Sequence, residues 1–464
     1  MVPGALLAQW EPDRKLSTTD TSASLNENQG QCILASGDTL HVVWYDAHNN
    51  GSAIFYKRSI NGGVTWGPDT RLSGAPSVAN MPLVALSGST LHVAYRDSGS
   101  GQYASSYKRS LDGGNTWGPG FSLDASTPWW PGVAAEGSTV FVSLNESNSG
   151  NSEVYFRRST DNGASWEAKQ QISNAPGRSE DPSIAAAGGY VHLAWNDNRE
   201  GVMHTYYRRS SDQGVTWGPE TPMNNTNAYS PHVSVFGSYV DVLWGDRRSG
   251  DYDIYLREST DFGATWGGEK RLSQDAAASL YPSIARDGSN IHIIWWNLSG
   301  DIVYRHSGDG GTTWDQPVSL VSAAFQPGAP FIAIAGPVVH VIWIDRRSGH
   351  PAVYYKRNPT GNSPTTEVAS ARHDDVPLAF SLSAFPNPFN PSTVVEFSVP
   401  NDVKATLAIY DLLGREVEEF PAGELKAGEV QRVTFDASGL SSGVYICRLD
   451  AGSHSLSKLL VLLK

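Results

Sequence analysis

The chain has 464 residues and a net charge of −13; 17% of its residues are charged and 10% aromatic, with 15 Trp and 46 Gly. The acidic balance excludes nucleic acid as a partner, since phosphate binding needs a basic surface, and the composition is that of a turn-rich β protein rather than a disordered one. Only two cysteines, Cys32 and Cys447, are present, far apart in the chain; this excludes a disulfide framework, and there is neither a Cys/His metal spacing nor an apolar run long enough to span a membrane.

In chain order, Ala5-Leu6-Leu7-Ala8-Gln9 reads as the end of a secretory signal whose basic region and most of whose apolar region are missing, which sets residues 1–9 apart. Next, Trp10-Glu11-Pro12-Asp13-Arg14-Lys15-Leu16-Ser17 matches Trp66-Gly67-Pro68-Asp69-Thr70-Arg71-Leu72-Ser73. The phrase Ser-x-Asp/Asn-x-Gly-x-Thr/Ser-Trp then recurs at Ser59–Trp66, Ser110–Trp117, Ser159–Trp166, Ser210–Trp217, Ser259–Trp266 and Ser307–Trp314. Its tryptophans fall 51, 49, 51, 49 and 48 residues apart, a period that means a repeat architecture. Each copy lies between two short strands. Asp or Asn caps the turn by accepting backbone hydrogens, Gly supplies positive φ, and Trp plugs the gap between sheets. A carboxylate needed in every repeat is structural, so function is not placed on Asp112, Asp161, Asp212, Asp261 or Asp309.

Each unit also has a Pro-led strand, such as Pro182-Ser183-Ile184-Ala185, and an apolar strand, such as His192-Leu193-Ala194-Trp195. The apolar strand occurs seven times, the last at His340-Val341-Ile342-Trp343. The seventh unit has no box of its own, and the Trp10–Ser17 segment supplies its missing outer strand. The expectation is an all-β chain: a seven-bladed β-propeller over residues 10–358, closed on itself so that no sheet edge is exposed. Lys/Arg pairs such as Arg157-Arg158 and Arg208-Arg209 recur at one position, as inter-blade partners for the box carboxylates.

The repeated phrase resembles the Asp-box (BNR repeat) of sialidases and related β-propellers. In that family the boxes face away from the active site. The loops inside each strand 2–3 pair and the loops between blades share the other face, where function is sought. The strand 2–3 loops carry Asp46, Asp97, Asp197, Asp246 and Asp345, read mainly as turn caps with an Arg bridging to the next blade; Asn145-Glu146 and Asn297-Leu298 depart from the pattern. The between-blade loops differ from one another, carrying Asn28-Gln29, Asn80-Met81, Trp129-Trp130, Arg178-Ser179-Glu180-Asp181, Tyr229 and Tyr281 around the channel mouth. Trp129, Trp130, Tyr229 and Tyr281 offer flat apolar faces for stacking on sugar rings. Arg286 is charged where other repeats are apolar or small, and needs a partner or a ligand.

The resemblance implies a sialidase-like glycoside hydrolase, an exo-α-sialidase acting on extracellular sialylated or acidic glycans, with no cofactor and no metal. Its acid, base and nucleophile candidates are Asp46, Asp97, Glu180, Asp181, Tyr229 and Tyr281, with Glu146 a further carboxylate. Arg96, Arg178 and Arg286, with Trp129 and Trp130, are the substrate-binding candidates. The Arg-Ile-Pro motif of the family's first triad arginine is absent, so these assignments rest on loop position. The alternatives are a non-catalytic glycan-binding adhesion propeller and, third, a polysaccharide lyase with Tyr229, His204 or His232 as base.

Residues 359–379 read as a linker. Residues 380–464 carry Phe385-Pro386-Asn387-Pro388-Phe389-Asn390-Pro391, Tyr410-Asp411-Leu412-Leu413-Gly414-Arg415, Leu440-Ser441-Ser442-Gly443-Val444-Tyr445 and the closing Leu459–Lys464. Strands are expected at Val394–Val399, Thr406–Tyr410, Val430–Phe435, Val444–Leu449 and Leu456–Leu463. These motifs resemble the C-terminal sorting domain of type IX secretion substrates, a small immunoglobulin-like β-sandwich. The resemblance implies export by the type IX machinery, then release or attachment at the cell surface, with extracellular glycans as the other partner.

Overall fold

A computed structural model describes residues 10–361 and 381–464, apart from 19–21, 26–29, 49–50, 75–77, 125–128, 149–150, 275–276, 322–324, 426–430 and a few single or paired residues. The expected signal remnant at residues 1–9 and most of the linker lie outside the described residues. The named elements are all strands, and the chain divides into two compact units, Met1–Thr366 and Glu367–Lys464.

The first unit contains seven antiparallel sheets, each a short meander. Blade 4, for example, is Ser179–Ala187, Tyr190–Asp197, His204–Ser210 and Thr221–Pro222 in that order. The first strands pack side by side in cyclic order, and Gly328–Ala335 of blade 7 returns to Ile33–Ser36 of blade 1. The expected seven-bladed ring is therefore present and closed. The outer strand of blade 7 is Arg14–Lys15, paired with Ala352–Asn358 so that Arg14 faces Tyr355 and Lys15 faces Tyr354. The amino-terminal segment thus closes the ring, as its match to Trp66–Ser73 predicts.

Second strands are sandwiched between blades and buried on both faces, which is why they read as continuous apolar runs. Trp44, Trp195, Trp244, Trp295 and Trp343 at their ends are fully buried. The box tryptophans lie edge-on against a third-strand ring of the preceding blade: Trp117 on Tyr56, Trp166 on Tyr107, Trp217 on Phe156 and Trp266 on Tyr207, at 4.8–5.0 Å. Trp66 packs on Tyr355 across the closure, and Trp10 takes the box position of blade 7 against Tyr304 at 5.2 Å.

In the box of blade 3, Asp161 Oδ1 accepts the N–H groups of Ala164 and Ser165 at 2.9 and 2.8 Å, and Oδ2 accepts the Ser165 hydroxyl at 2.6 Å. Gly163 has φ 79°, and a Cβ there would lie 2.0 Å from the Tyr107 hydroxyl of blade 2. Glycine is required both for the turn and for the close approach of the neighbouring blade.

The recurring cations do bridge blades, but through carbonyls and not through the box carboxylates. The first of each pair reaches back to the outer strand of the preceding blade: Lys108 Nζ to Leu72 O at 2.7 Å, Arg208 to Ile172 O at 2.7 Å, Lys356 to Leu320 O at 3.1 Å. The second reaches forward to the next box turn: Arg58 to Gly113 O at 2.6 Å, Arg109 to Asn162 O at 2.6 Å, and Arg357 across the closure to Gly62 O at 2.7 Å. The carboxylates are already used inside their own turns, so the free acceptors are the turn carbonyls.

The second unit is a three-stranded sheet and a four-stranded sheet around one core that includes Phe389, Phe397, Leu407, Ile409, Phe435, Leu449 and Leu460. Two of its strands, Ser381–Phe385 and Glu416–Leu425, go beyond the sequence expectation. The second lies at a sheet edge, where its glutamates are tolerated and mask the strand pattern.

Candidate functional site

The channel mouth is built from a defect that repeats. In blades 2 to 7 the ladder between the first two strands slips, between Asn80/Leu83, Trp129/Gly132, Glu180/Ser183, Tyr229/His232, Leu280/Ser283 and Gly328/Phe331. The bulged residues Met81, Trp130, Asp181, Ser230, Tyr281 and Ala329 have φ between 46° and 56°. Each precedes a proline, and none is glycine. Such a backbone costs roughly 1–3 kcal/mol per residue and persists because the surrounding blade fixes it. A bulge re-aims its side chain. The backbone is the same in every blade, and the side chain it presents is not.

Facing these bulges are the second-strand residues just after the buried Trp, Tyr or Leu, and these also vary: Arg96, Asn145, Asn196, Gly245, Trp296 and Ile344. On blade 6, Tyr281 lies parallel to Trp296 at 6.0 Å. Tyr229 of blade 5 meets Tyr252 edge-on at 5.4 Å, in room left by Gly245, whose absent Cβ would touch the Tyr252 ring. Arg96 of blade 2 is buried with its guanidinium 3.5 Å from the Tyr103 ring centroid. Trp130 is half-buried; Trp129 pairs with Asn145, and its side chain lies outside the described residues.

Blade 4 holds the perturbed carboxyl. Asp181 is half-buried, and its Oδ2 accepts the Asn196 amide at 2.9 Å. Its Oδ1 is buried with no hydrogen-bond partner among the described residues, and the same is true of Asn196 Oδ1. Burial pushes Asp181 up to about 7, with repulsion from Glu180 adding to it, while the Asn196 bond and Arg178 offset only part. Arg178 is exposed and lies 3.7 Å from Glu180. A carboxyl near half-protonation at neutral pH beside an unsatisfied acceptor can give or take a proton at Oδ1.

Three sequence candidates belong elsewhere. Asp46 is fully buried in blade 1, opposite Ala23 and Ala53, so its carboxylate does not face solvent. Asp97 is a turn cap, its Oδ1 accepting the Gly99 N–H at 2.9 Å. Arg286 sits at the opposite end of its strand, toward the box face. Its guanidinium makes two bonds to Asp241, at 2.6 and 2.7 Å, and one to Glu258 at 2.6 Å, with the side chain 1% exposed. Arg286 answers a break in the repeat. Asp241 and Glu258 stand where most other blades have His and Arg, and the arginine neutralises both.

The bridging reading of the loop arginines also changes. Asp197, Asp246 and Asp345 hold the indole N–H of Trp195, Trp244 and Trp343 and a guanidinium at 2.6 Å. Those arginines, Arg199, Arg248 and Arg347, continue to Glu220, Glu269 and Asp13 on the outer edge of the same blade, not the next. Glu146 is buried and ion-paired with Lys169 at 2.5 Å. His232 is buried, and burial holds it down to about 4; His204 is buried 3.6 Å from Glu200. Clefts of about 380 and 260 Å³ open between neighbouring box turns on the other face, lined mostly by residues of those turns.

Sequence reading missed Asn196, Trp296, Tyr252 and Tyr103. A signal for the first two was present: the residue after the second-strand Trp or its equivalent changes from blade to blade.

These features define a closed, seven-bladed propeller with one unlike face. Residues 133–290 match the family description of a BNR repeat-like domain, and residues 383–463 match the secretion system C-terminal sorting domain. The chain is a BNR-repeat β-propeller joined to a type IX sorting domain, and it is exported, either secreted or attached at the cell surface. No curated protein matches it. Among solved structures it resembles a PL25 ulvan lyase bound to a -[GlcA(1-4)Rha3S]- ligand, 12% identical over 74% of this chain and 95% of that one, TM-score 0.53. Polysaccharide lyase Uly1 is 11% identical over 75% and 99%, TM-score 0.50. The phage phi92 endosialidase is 9% identical over 98% and 87%, TM-score 0.49. At these identities the likeness is one of fold.

Proposed function

We propose that this protein is an exported enzyme that cleaves acidic extracellular glycans at its channel mouth, with Asp181 as the proton-transferring carboxyl. The observation that carries this is the Asp181 environment: a strained bulge, one paired oxygen, one buried unpaired oxygen, and a carboxyl pushed up to about 7. Perturbed carboxyls of this kind serve as general acids, a role contributing about 10²–10⁴-fold to rate. The aromatic pairs Tyr281–Trp296 and Tyr229–Tyr252 supply stacking faces on the two following blades. Arg178, which acts on Asp181 itself, and Arg96, on the second strand of blade 2, are the cations offered to an acidic sugar.

In the hydrolytic form of the reaction, protonated Asp181 donates to the glycosidic oxygen as the bond breaks, water adds to the anomeric carbon, and the proton that water loses restores Asp181. The sialidase-like version lacks one expected arginine, because Arg286 is committed to Asp241 and Glu258. A second form is favoured by the ulvan-lyase likeness in fold and by the Asp181–Asn196 pair. A protonated carboxyl and an amide can together neutralise a uronate, while Tyr229, as tyrosinate, removes the C5 proton and passes it to the leaving oxygen as the C4–O bond breaks, leaving a C4–C5 double bond and a free hydroxyl.

The test is to incubate the full chain and its Asp181→Asn variant with sialylated and uronate-containing glycans and read the products by mass spectrometry. Turnover by the wild type, reduced at least 100-fold in the variant, is the expected result. Saturated products mean hydrolysis; unsaturated ends mean elimination. Binding without turnover would make the protein a glycan-binding propeller and remove Asp181 from its proposed role.

A further inference from the structure

The mouth has a second feature, half a turn round the ring from Asp181. A cleft of about 290 Å³ opens where blade 7 meets blade 1. At ~30 Å³ per water it holds about ten waters, room for one ring-sized group. Tyr45, Ala47, Ile344 and Pro351 give it an apolar side, and Ser22, Ser24 and Gln326 give it hydroxyls and an amide. Its charged lining is Asp345 and Arg346. The Asp345 carboxylate in its wall is buried and already bonded to Arg347 and the Trp343 indole. Arg346 is exposed and makes no ion pair among the described residues.

Two departures from the repeat make this cleft. The first strand of blade 1 is split into Ser22–Ser24 and Ile33–Ser36, both pairing with Thr39–His48. Blade 7 carries an additional left-handed residue before proline, Gln326 at φ 50° ahead of Pro327. The paired loop arginines are also of two kinds. Arg248 and Arg347 are ion-paired with Asp246 and Asp345, while Arg247 lies over the Tyr252 ring and Arg346 is exposed without an ion pair among the described residues. Of these four, Arg346 is the one that lines this cleft; Arg247 and Arg248 belong to blade 5.

We infer that this cleft is a distal subsite for an anionic sugar unit, with Arg346 holding its carboxylate or sulfate, so that the substrate is a long anionic polysaccharide spanning the mouth rather than a terminal sugar. The inference rests on the reading of Asp181 as the point of cleavage. An exposed guanidinium over an amphipathic pocket suits such a group because it donates two parallel hydrogen bonds to it while the ring packs below.

The test compares short and long oligosaccharides of one uronate- or sulfate-bearing glycan, cleaved by the full chain and by Arg346→Ala and Gln326→Ala variants. The expected result is that the wild type prefers long chains, that Arg346→Ala raises KM for long chains about tenfold, and that both variants cleave short chains as the wild type does. The long-chain advantage should also shrink with salt. Carboxylated and sulfated glycans run in parallel identify which anion is held. Equal KM for long and short chains, or an Arg346→Ala enzyme unchanged on long chains, overturns the subsite while leaving Asp181 in its role. An Asp181→Asn enzyme that still turns over fails the underlying reading separately.

Discussion

Asp181 and Arg286 are both charged groups in a mostly apolar setting, and they illustrate opposite outcomes. Asp181 is left with one oxygen unsatisfied among the described residues, and burial pushes its carboxyl up to about 7. Arg286 is fully satisfied, its two carboxylate partners within 2.7 Å. In sequence both look like intrusions, and only their neighbours separate them. Arg286 is flagged by being charged among Ala and Leu, but its partners Asp241 and Glu258 lie 45 and 28 residues away. Replacing Arg286 with alanine strands a buried carboxylate and should cost about 3–5 kcal/mol, read from denaturant melts. Restoring the repeat in full, with Asp241→His, Glu258→Arg and Arg286→Ala together, should recover most of that loss. A single Arg286→Ala variant as stable as the wild type would contradict the assigned role.

The hairpin turns are the element most legible in the sequence, because their chemistry is local. Ser, Asp, Gly and Thr sit at fixed offsets and satisfy one another within eight residues. Hydrogen bonds from the turn hydroxyls and N–H groups hold Asp112, Asp212 and Asp309 down to about 2, and Asp161 and Asp261 lower still. These folded-state values lie below the ordinary carboxylate value, so the stabilisation is complete above about pH 4 and is lost as pH falls toward 2. Thermal melts should therefore drop steeply between pH 4 and 2. Asp161→Asn should melt lower than the wild type at pH 5 and lose less on acidification; parallel curves would contradict the turn's role. Between-blade contacts were less legible. The Arg and Lys partners are backbone carbonyls, which carry no sequence identity.

At the scale of the whole molecule, repetition and departure divide the work. The seven-bladed ring, its closure by Trp10–Ser17 and the separate tail could be read from spacing, because a repeat must bury the same faces each time. The mouth could be read only in part. Position picked out Asp181, Tyr229, Tyr281, Arg96 and Arg178, but the facing residues Asn196, Tyr252 and Trp296 belong to other strands, and no spacing rule brings them together. Position also promoted Asp46 and Arg286, which folding buries. The account predicts that one carboxyl, on the one bulge among the described residues that presents an acid, is held partly protonated at neutral pH by its place in the ring. Infrared difference spectroscopy of the full chain against Asp181→Asn, across pH 4 to 9, measures this directly. A protonated-carboxyl band absent from the variant and titrating near pH 7 is the predicted result. A band that has vanished by about pH 5 would mean an ordinary, solvated aspartate, and would contradict the central claim.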